Sequence, residues 1–130
     1  MLQNMIRRND AESNFREDKN LNILKETIRY IETNYRHNIS ISDLSLNAGI
    51  SKYHMCHLFK RMTGITVTDY INQHRIGKAT LLMQDRSRKI IDVALEVGFN
   101  NVSYFTKVFK KIIGCSPREY QRSHLGRQTV

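Results

Sequence analysis

The sequence predicts an all-α fold, and two observations support that prediction. The first is the pattern of the residues: the alternation of apolar and polar residues that is typical of strands is scarce. Proline occurs once, at Pro117, and several of the six glycines stand where helices are expected to end. The second observation is an internal repeat, in which residues 43–49 are similar to residues 92–98. A repeated short helix, glycine turn and second helix predicts two helix-turn-helix units.

The repeat continues beyond the glycine turn of each copy. Six positions recur 50 residues later: Met55, Leu58, Phe59, Met62, Gly64 and Tyr70 correspond to Phe105, Val108, Phe109, Ile112, Gly114 and Tyr120. The first four positions of each set follow the i, i+3, i+4, i+7 spacing of a buried helix face. We therefore expect all eight of these side chains to be buried.

The charge is concentrated in the repeated part of the chain. The chain has 130 residues, the size of one domain, and a net charge of +9. Residues 1–32 hold six basic and six acidic residues, so the excess lies in residues 33–130, with 15 basic and six acidic. A basic domain usually faces a polyanion such as nucleic acid, although basic surfaces also serve solubility.

The cysteines and the apolar content indicate a reduced compartment. The two cysteines, Cys56 and Cys115, are distant in sequence, and neither a signal peptide nor an apolar run long enough for a bilayer is evident. We therefore predict a cytoplasmic protein without membrane association and without a disulfide framework.

Helix signals divide the chain as follows. Residues 1–20 are predicted to be a polar linker or tail, and apolar residues at helical spacing predict a first helix over residues 21–36. Ser40 and Asp43 have the spacing of a helix N-cap and its acidic partner, and Gly49 is expected to end that helix. Ser51 is expected to cap the next helix, which completes a first helix-turn-helix over about 40–63.

The remaining elements follow in the same order. A linker helix of roughly 25 Å is predicted over about 67–83. A second helix-turn-helix spans about 90–113, with Asn101 as the cap of its second helix and a turn one residue longer than in the first copy. The predicted domain covers residues 21–122, and residues 123–130 form a tail.

If the apolar stripes are buried, each second helix leaves a matching outward face. The first outward face consists of Lys52, Tyr53, Cys56 and His57. The second outward face consists of Val102, Ser103, Thr106 and Lys107, each 50 residues on. Lys60 and Lys110 continue these faces. Such mixtures of charge and hydrogen-bonding groups are typical of a helix that contacts base edges and phosphates.

These residues resemble those of a known family. The matching positions are Phe59, Lys60, Arg61, Met62, Thr63, Gly64, Tyr70, Arg75, Ala79, Ile90, Ile91, Asp92, Val93, Ala94, Val97, Gly98, Phe99, Ser103, Tyr104, Phe105, Val108, Phe109, Lys110, Gly114, Ser116, Pro117, Arg118, Glu119 and Tyr120. They resemble the C-terminal DNA-binding domain of AraC/XylS transcription regulators. The resemblance implies an all-α domain of about seven helices, with two helix-turn-helix subdomains joined by a long linker helix. It also implies sequence-specific binding of double-stranded DNA and regulation of transcription, usually activation through RNA polymerase.

Candidate contacts follow from the helix faces and the resemblance together. The base-contacting candidates are the first and second outward faces, residues 52, 53, 56, 57, 102, 103, 106 and 107. The phosphate-contacting candidates are Ser51, Lys60, Arg61, Arg75, Asn101, Lys110 and Lys111. Family members often place Gln or Arg where this chain has Cys56 and His57, and neither of these offers a bidentate fork to a base. Because the two outward faces differ in chemistry, we expect an asymmetric DNA site.

Other functions were weighed against this one. His54, Cys56 and His57 could meet a metal ion, but a fourth ligand is absent nearby in the sequence. Cys56 as a redox sensor lacks a resolving cysteine close by. A repair methyltransferase would need a zinc-bound cysteine cluster that two cysteines cannot supply. We predict no enzyme, cofactor or metal; an interaction module that binds an acidic protein stays an alternative.

The opening residues leave two interpretations. Residues 1–20 are either the cut end of a linker from a larger regulator, which their polar composition favours, or the start of a stand-alone member similar to small stress-response activators. Oligomerisation, if any, is expected through a domain that this chain does not contain.

Overall fold

The computed structural model describes the backbone of residues 2–128 and the side chains of residues 11–123, and every regular element in that part is a helix. The seven helices are α1 Leu2–Asn34, α2 Ile41–Ala48, α3 Lys52–Thr63, α4 Val67–Leu82, α5 Ile90–Glu96, α6 Val102–Ile113 and α7 Pro117–Gln128. This confirms the all-α prediction. Across the described helices, none is both long enough and apolar enough to cross a bilayer.

The chain divides into two compact units. The first contains residues up to 33 and residues 40–66, which include α1, α2 and α3. The second contains residues 34–39 together with everything from residue 67 onward, which includes α4 to α7. Each unit therefore contains one copy of the repeat.

The first helix is longer than predicted. It begins at Leu2 instead of near residue 21, although the side chains of residues 11–19 are exposed. Local sequence accounts for the extension, since residues 2–20 contain no glycine or proline, and Glu12 precedes Arg16 by four positions, the order that stabilises an isolated helix. That residues 1–20 lie outside the folded domain stays a prediction.

In the first unit α1 buries the stripe Ile23, Thr27 and Ile31, while the predicted apolar position Leu24 is half-buried. The Thr27 hydroxyl donates to the Ile23 carbonyl at 2.8 Å, so its burial leaves no unsatisfied donor. The same oxygen lies 3.8 Å from the sulfur of Met55 on α3. These contacts show that α1 packs on α3, in the first copy of the repeat.

The predicted cap of α2 is present. The Ser40 hydroxyl accepts from the Asp43 backbone N–H at 3.1 Å, and the Asp43 carboxylate accepts from the Ser40 N–H at 3.0 Å. The bonds from Ser40 lower the pKa of Asp43. Gly49 ends the helix at φ 70°, in the left-handed conformation that glycine accepts without strain. In the second copy Lys89 occupies the cap position of α5 and makes no such bond.

The second unit has a core of eleven buried residues: Tyr35, Ile76, Ala79, Met83, Val93, Ala94, Val97, Phe99, Phe105, Val108 and Phe109. A row of aromatic rings runs through it. The centroids of Phe99 and Phe105 are 5.1 Å apart, those of Phe105 and Phe109 are 5.7 Å apart, and Tyr120 on α7 lies 5.6 Å from Phe109. These edge-to-face and tilted pairs hold α6 and α7 together.

Two of the eight predicted core positions are wrong. Met62 is 37% exposed and Ile112 is 38% exposed, whereas the other six side chains are buried. Both are the penultimate residues of their helices, two positions before the glycines that end α3 and α6. The spacing places them on the face that also carries the buried residues, but each side chain borders an open groove at the end of its helix.

Candidate nucleic-acid interface

The helices α3 and α6 begin in the same way. The Ser51 hydroxyl oxygen accepts from the His54 backbone N–H at 3.0 Å, and the Asn101 side-chain oxygen accepts from the Tyr104 N–H at 3.0 Å. Both cap predictions are confirmed. The Ser51 hydroxyl hydrogen and the Asn101 amide hydrogens are not used by these caps and can still donate to a phosphate.

The two helices also end in the same way. Gly64 at φ 82° donates its N–H to the Lys60 carbonyl at 2.8 Å, and Gly114 at φ 97° donates to the Lys110 carbonyl at 2.9 Å. The last turns carry two adjacent exposed cations each, Lys60 with Arg61 and Lys110 with Lys111. Positive charge at a helix C-terminus is stabilised by the helix dipole, so this arrangement is favourable even without a bound anion.

All four residues of the first outward face are exposed, Tyr53 to 74%. The rings of Tyr53 and His57, one turn apart, have centroids 4.1 Å apart with an angle of 40° between their planes. The Tyr53 ring therefore limits the orientations of the imidazole. No sequence pattern considered at the outset predicted this ring contact.

The second outward face is less exposed than predicted. Ser103 and Lys107 are exposed, but Thr106 is half-buried and Val102 packs partly against the core of the second unit. Val102 is the first residue of α6. The chemical difference between the two outward faces is thus accompanied by a difference in exposure.

Each unit brings base-contacting and phosphate-contacting candidates together in a groove. In the first unit a groove of about 600 Å³ is lined by Cys56, His57, Lys60 and Arg61 among others. In the second, Lys107 and Lys111 of α6 line a groove of about 430 Å³ against α4. Lys52, Tyr53 and Lys110 lie outside these grooves, on the exposed sides of their helices.

Tyr104 is a further polar side chain of the second groove. Its hydroxyl accepts from the Asn72 amide of α4 at 3.0 Å, and Asn72 is buried. The bond satisfies a polar group inside the unit and fixes Tyr104 beside Lys107. In the first copy the equivalent position is His54.

Arg61 differs from the other predicted phosphate contacts because acidic residues lie near it. Within the first unit, Arg61 and Met62 border a second groove whose other wall is the exposed part of α1, including Glu12, Glu17 and Asp18. These carboxylates would compete with a phosphate for the guanidinium. Lys60 does not line this second groove.

Arg75 is placed differently from the prediction. Its Nε–H donates to the Tyr35 carbonyl and a terminal N–H donates to the His37 carbonyl, both at 2.9 Å. Its guanidinium carbon lies 5.7 Å from the centroid of the Phe99 ring, and burial lowers the pKa of Arg75. An arginine with hydrogen bonds to two carbonyls inside its own unit stabilises the fold, and its contact with a phosphate stays a prediction.

The sequence raised metal binding and redox sensing for side chains of α3 and for the cysteines. In that part of the chain, no three or more His, Cys, Asp or Glu residues are grouped so as to hold an ion. Cys56 is exposed and Cys115 is half-buried, and both are free thiols. His54, Cys56 and His57 are all exposed on α3.

Three arginines of the second unit were not among the DNA contacts predicted from the sequence. Arg86, Arg118 and Arg122 line one pocket together with Gln121. The sequence does indicate part of this group, because Arg118 and Arg122 are four residues apart and so share a helix face. The contribution of Arg86, from the loop between α4 and α5, could be found only from the fold.

Comparison with known proteins identifies the domain. A family model described as a helix-turn-helix domain matches residues 44–123. The transcriptional regulator YkgA of Escherichia coli K12 is 34% identical over 99 residues, which are 76% of this chain and 41% of the relative. The transcriptional activator AarP of Providencia stuartii is 32% identical over 104 residues, which are 80% of this chain and 77% of the relative.

Solved structures agree with the sequence comparison. The C-terminal domain of the two-component response regulator yesN from Fusobacterium nucleatum superposes with a TM-score of 0.69 at 33% identity, covering 73% of this chain and 93% of that chain. Fold and paired helices thus define a helix-turn-helix DNA-binding domain. The chain belongs to the AraC/XylS family of transcription regulators. This family is one of DNA-binding regulators, not of enzymes. The chain spans less than half the length of YkgA.

Proposed function

We propose that this domain binds a specific sequence of double-stranded DNA by inserting α3 and α6 into adjacent segments of the major groove. The matched construction of the two helices carries this proposal. Each begins with a side-chain cap, ends at a left-handed glycine and has two cations in its last turn. Two helices built alike, each with an exposed polar face, suit the same task at two positions on a duplex.

The two helices contribute unequally to base recognition. The ammonium group of Lys107 can donate to the acceptors of guanine, and Val102 can contact a thymine methyl. The first outward face offers Cys56 for a methyl contact and His57 for a single hydrogen bond. We therefore infer an asymmetric site in which α6 selects bases more strongly than α3.

Backbone contacts surround these base contacts. Lys60, Arg61, Lys110 and Lys111 lie beside the outward faces and are proposed to hold phosphates, together with the capping side chains Ser51 and Asn101. Phosphate contacts set the position of the protein on the duplex and make affinity dependent on salt. Among the four cations Arg61 is expected to contribute least, because of the carboxylates of α1 nearby.

We propose that DNA binding activates transcription through RNA polymerase. We also propose that the protein acts in the cytoplasm. AarP is described as an activator, and this chain covers 77% of its length. Within the chain we assign DNA binding to residues 21–122, with tails on either side. Any effector or oligomerisation domain would lie in a larger protein, as the partial coverage of YkgA suggests.

Selection of bound duplexes from a random-sequence pool tests the proposal. We expect an enriched motif with two unlike parts separated by about one helical turn. A palindrome would contradict recognition by two unlike faces on one chain, and absence of any enriched motif would contradict sequence-specific binding. Placing the selected site upstream of a reporter promoter then tests the sign of regulation, since a repressor would lower the output.

A further inference from the structure

The loop between α4 and α5 is tied to α7 by one side chain. The Gln121 amide nitrogen lies 3.4 Å from the Met83 carbonyl, 3.4 Å from that of Asp85 and 3.2 Å from that of Arg88. An amide group surrounded by three backbone carbonyls fixes the path of the loop. The loop residue Arg86 is thereby held beside the exposed side of α7.

Three arginines converge at this junction. Arg118 and Arg122 are one turn apart on α7, and with Arg86 and Gln121 they line a pocket of about 240 Å³. All three arginine side chains are exposed, and none of the residues lining the pocket is acidic. Three of the four residues that line the pocket are therefore arginines.

None of the three acidic residues of this region lines the pocket: Asp85, Glu96 and Glu119. Asp85 accepts from the Ser87 N–H at 3.0 Å and from its hydroxyl at 2.6 Å. Glu96 forms an ion pair with Arg88. The three arginines therefore line the pocket without a carboxylate among them, although Asp85 and Glu119 lie close to them in the sequence.

Such an arrangement is suited to an anion. Like charges around one pocket repel each other, and an anion between them removes that cost. The planar guanidinium offers paired N–H groups that match the oxygens of a phosphate, which a lysine cannot do. A phosphate group also has enough acceptor oxygens to engage several arginines at once.

We propose that Arg86, Arg118 and Arg122 form a binding site for a phosphate of the DNA backbone, outside the groove contacts of α3 and α6. This inference rests on the proposed DNA binding. DNA is favoured over an acidic protein because α7 packs directly on α6 through Tyr120 and Phe109, within the same unit. A duplex bound at α6 presents a continuous row of phosphates to the surrounding surface, whereas an acidic protein would need a separate arrangement.

The test measures the salt dependence of binding. The triple variant Arg86→Ala, Arg118→Ala, Arg122→Ala is compared with the wild-type chain on a selected duplex and on a mixed-sequence duplex. Loss of one phosphate contact should lower the slope of log affinity against log salt by about 0.9. The ratio of wild-type affinity to variant affinity should therefore fall roughly 3.5-fold per lost contact when salt is raised from about 50 to 200 mM. This fall should be equal on both duplexes.

Two controls separate the site from net charge. Arg88→Ala removes one charge from the same loop, but that charge is already paired with Glu96, so it should change the slope less than Arg86→Ala does. A triple substitution of Arg86, Arg118 and Arg122 by Lys keeps the charge and should keep most of the slope while losing part of the affinity. Thermal unfolding checks that the exposed substitutions leave the fold intact.

The outcomes are distinguishable. If the triple alanine variant binds both duplexes with wild-type affinity and slope, the inference is overturned, and an acidic protein becomes the partner to examine. An equal effect of Arg88→Ala and Arg86→Ala would also overturn it. If the wild-type chain itself does not prefer the selected duplex, the proposed sequence-specific function fails, while the slopes on the mixed-sequence duplex still decide the phosphate site.

Discussion

The Arg75 guanidinium donates from Nε to the backbone carbonyl of Tyr35 at 2.9 Å, which links α4 to the segment that follows α1. A second N–H reaches the His37 carbonyl, and the Phe99 ring lies beneath the group. The side chain is half-buried, and loss of water lowers the pKa of Arg75 without discharging it. Residues 34–39 are therefore held in the second unit by a cation whose hydrogen bonds go to backbone oxygens.

Arg75→Ala should destabilise the protein by about 1–3 kcal/mol, because it leaves carbonyls without their donor. Arg75→Lys should recover part of this loss, since an ammonium group can reach one carbonyl but lacks the planar fork. Urea unfolding of the variants measures the effect. Unchanged stability combined with a loss of DNA affinity would instead support Arg75 as a phosphate contact.

Two glycines of the second unit should respond in opposite ways to alanine. Gly98 has φ +104°, and a Cβ there would collide with the Tyr35 carbonyl oxygen and lie 2.9 Å from the Arg75 Nε. We expect Gly98→Ala to cost about 1–3 kcal/mol or more. A Cβ on Gly77 within α4 meets nothing, so Gly77→Ala should stabilise by about 0.5–1 kcal/mol. Thermal unfolding compares them, and a shift in the same direction for both would contradict the argument.

The cap of α2 should make stability depend on acid pH. Hydrogen bonds from Ser40 hold the pKa of Asp43 below its ordinary value of 3.8, so the folded state favours the carboxylate. The resulting stability is present above that ordinary value and is lost as pH falls through the lower pKa of the folded state. Thermal midpoints of wild type and Asp43→Asn should therefore converge in acid.

Asp92 is the matched control for the pH prediction. It occupies the same position in the first turn of α5, where Lys89 cannot supply a hydroxyl. We expect Asp92→Asn to follow the wild-type curve of thermal midpoint against pH more closely than Asp43→Asn does. If both variants departed from that curve by the same amount, the acid dependence would not come from the Ser40 cap.

The division between base and phosphate contacts can be tested with two lysines. Lys107→Ala should relax the preference at one base pair by about 1–3 kcal/mol. Lys60→Ala should weaken binding to all sequences about equally and lower the salt slope by roughly one. Mobility shifts on the selected site and its single-base variants distinguish these effects. If both variants changed affinity in parallel across the series, the proposed roles would be wrong.

Local sequence was sufficient where neighbouring residues decide the structure. The caps at Ser40, Ser51 and Asn101 and the turns at Gly49 and Gly64 depend on side chains and dihedral angles within a few positions, and the pattern predicted them correctly. The extension of α1 was missed because a search for apolar stripes does not detect a helix stabilised by propensity and exposed charge alone.

Contacts between segments that are distant in the chain could not be predicted from the sequence. Met62 has the spacing of a core residue, but its burial depends on whether another element covers the end of α3. The role of Arg75 depends on a segment about 40 positions earlier in the chain. Arg86 joins Arg118 only because Gln121 holds its loop, a fact that requires the fold.

Tyr35 is buried in the core of the second unit, although all of residues 40–66 separate it from the rest of that unit in the chain. The second copy of the repeat therefore cannot be exchanged as one continuous segment without also changing its packing on Tyr35. A recombination event that exchanged the chain from residue 67 onward would pack the incoming helices against residues 34–39 of the other parent, including a residue 35 that belongs to a different core. A change of DNA specificity among relatives should therefore arise by point substitutions on α3 and α6. Residues 34–39 and the chain from residue 67 onward should be inherited together.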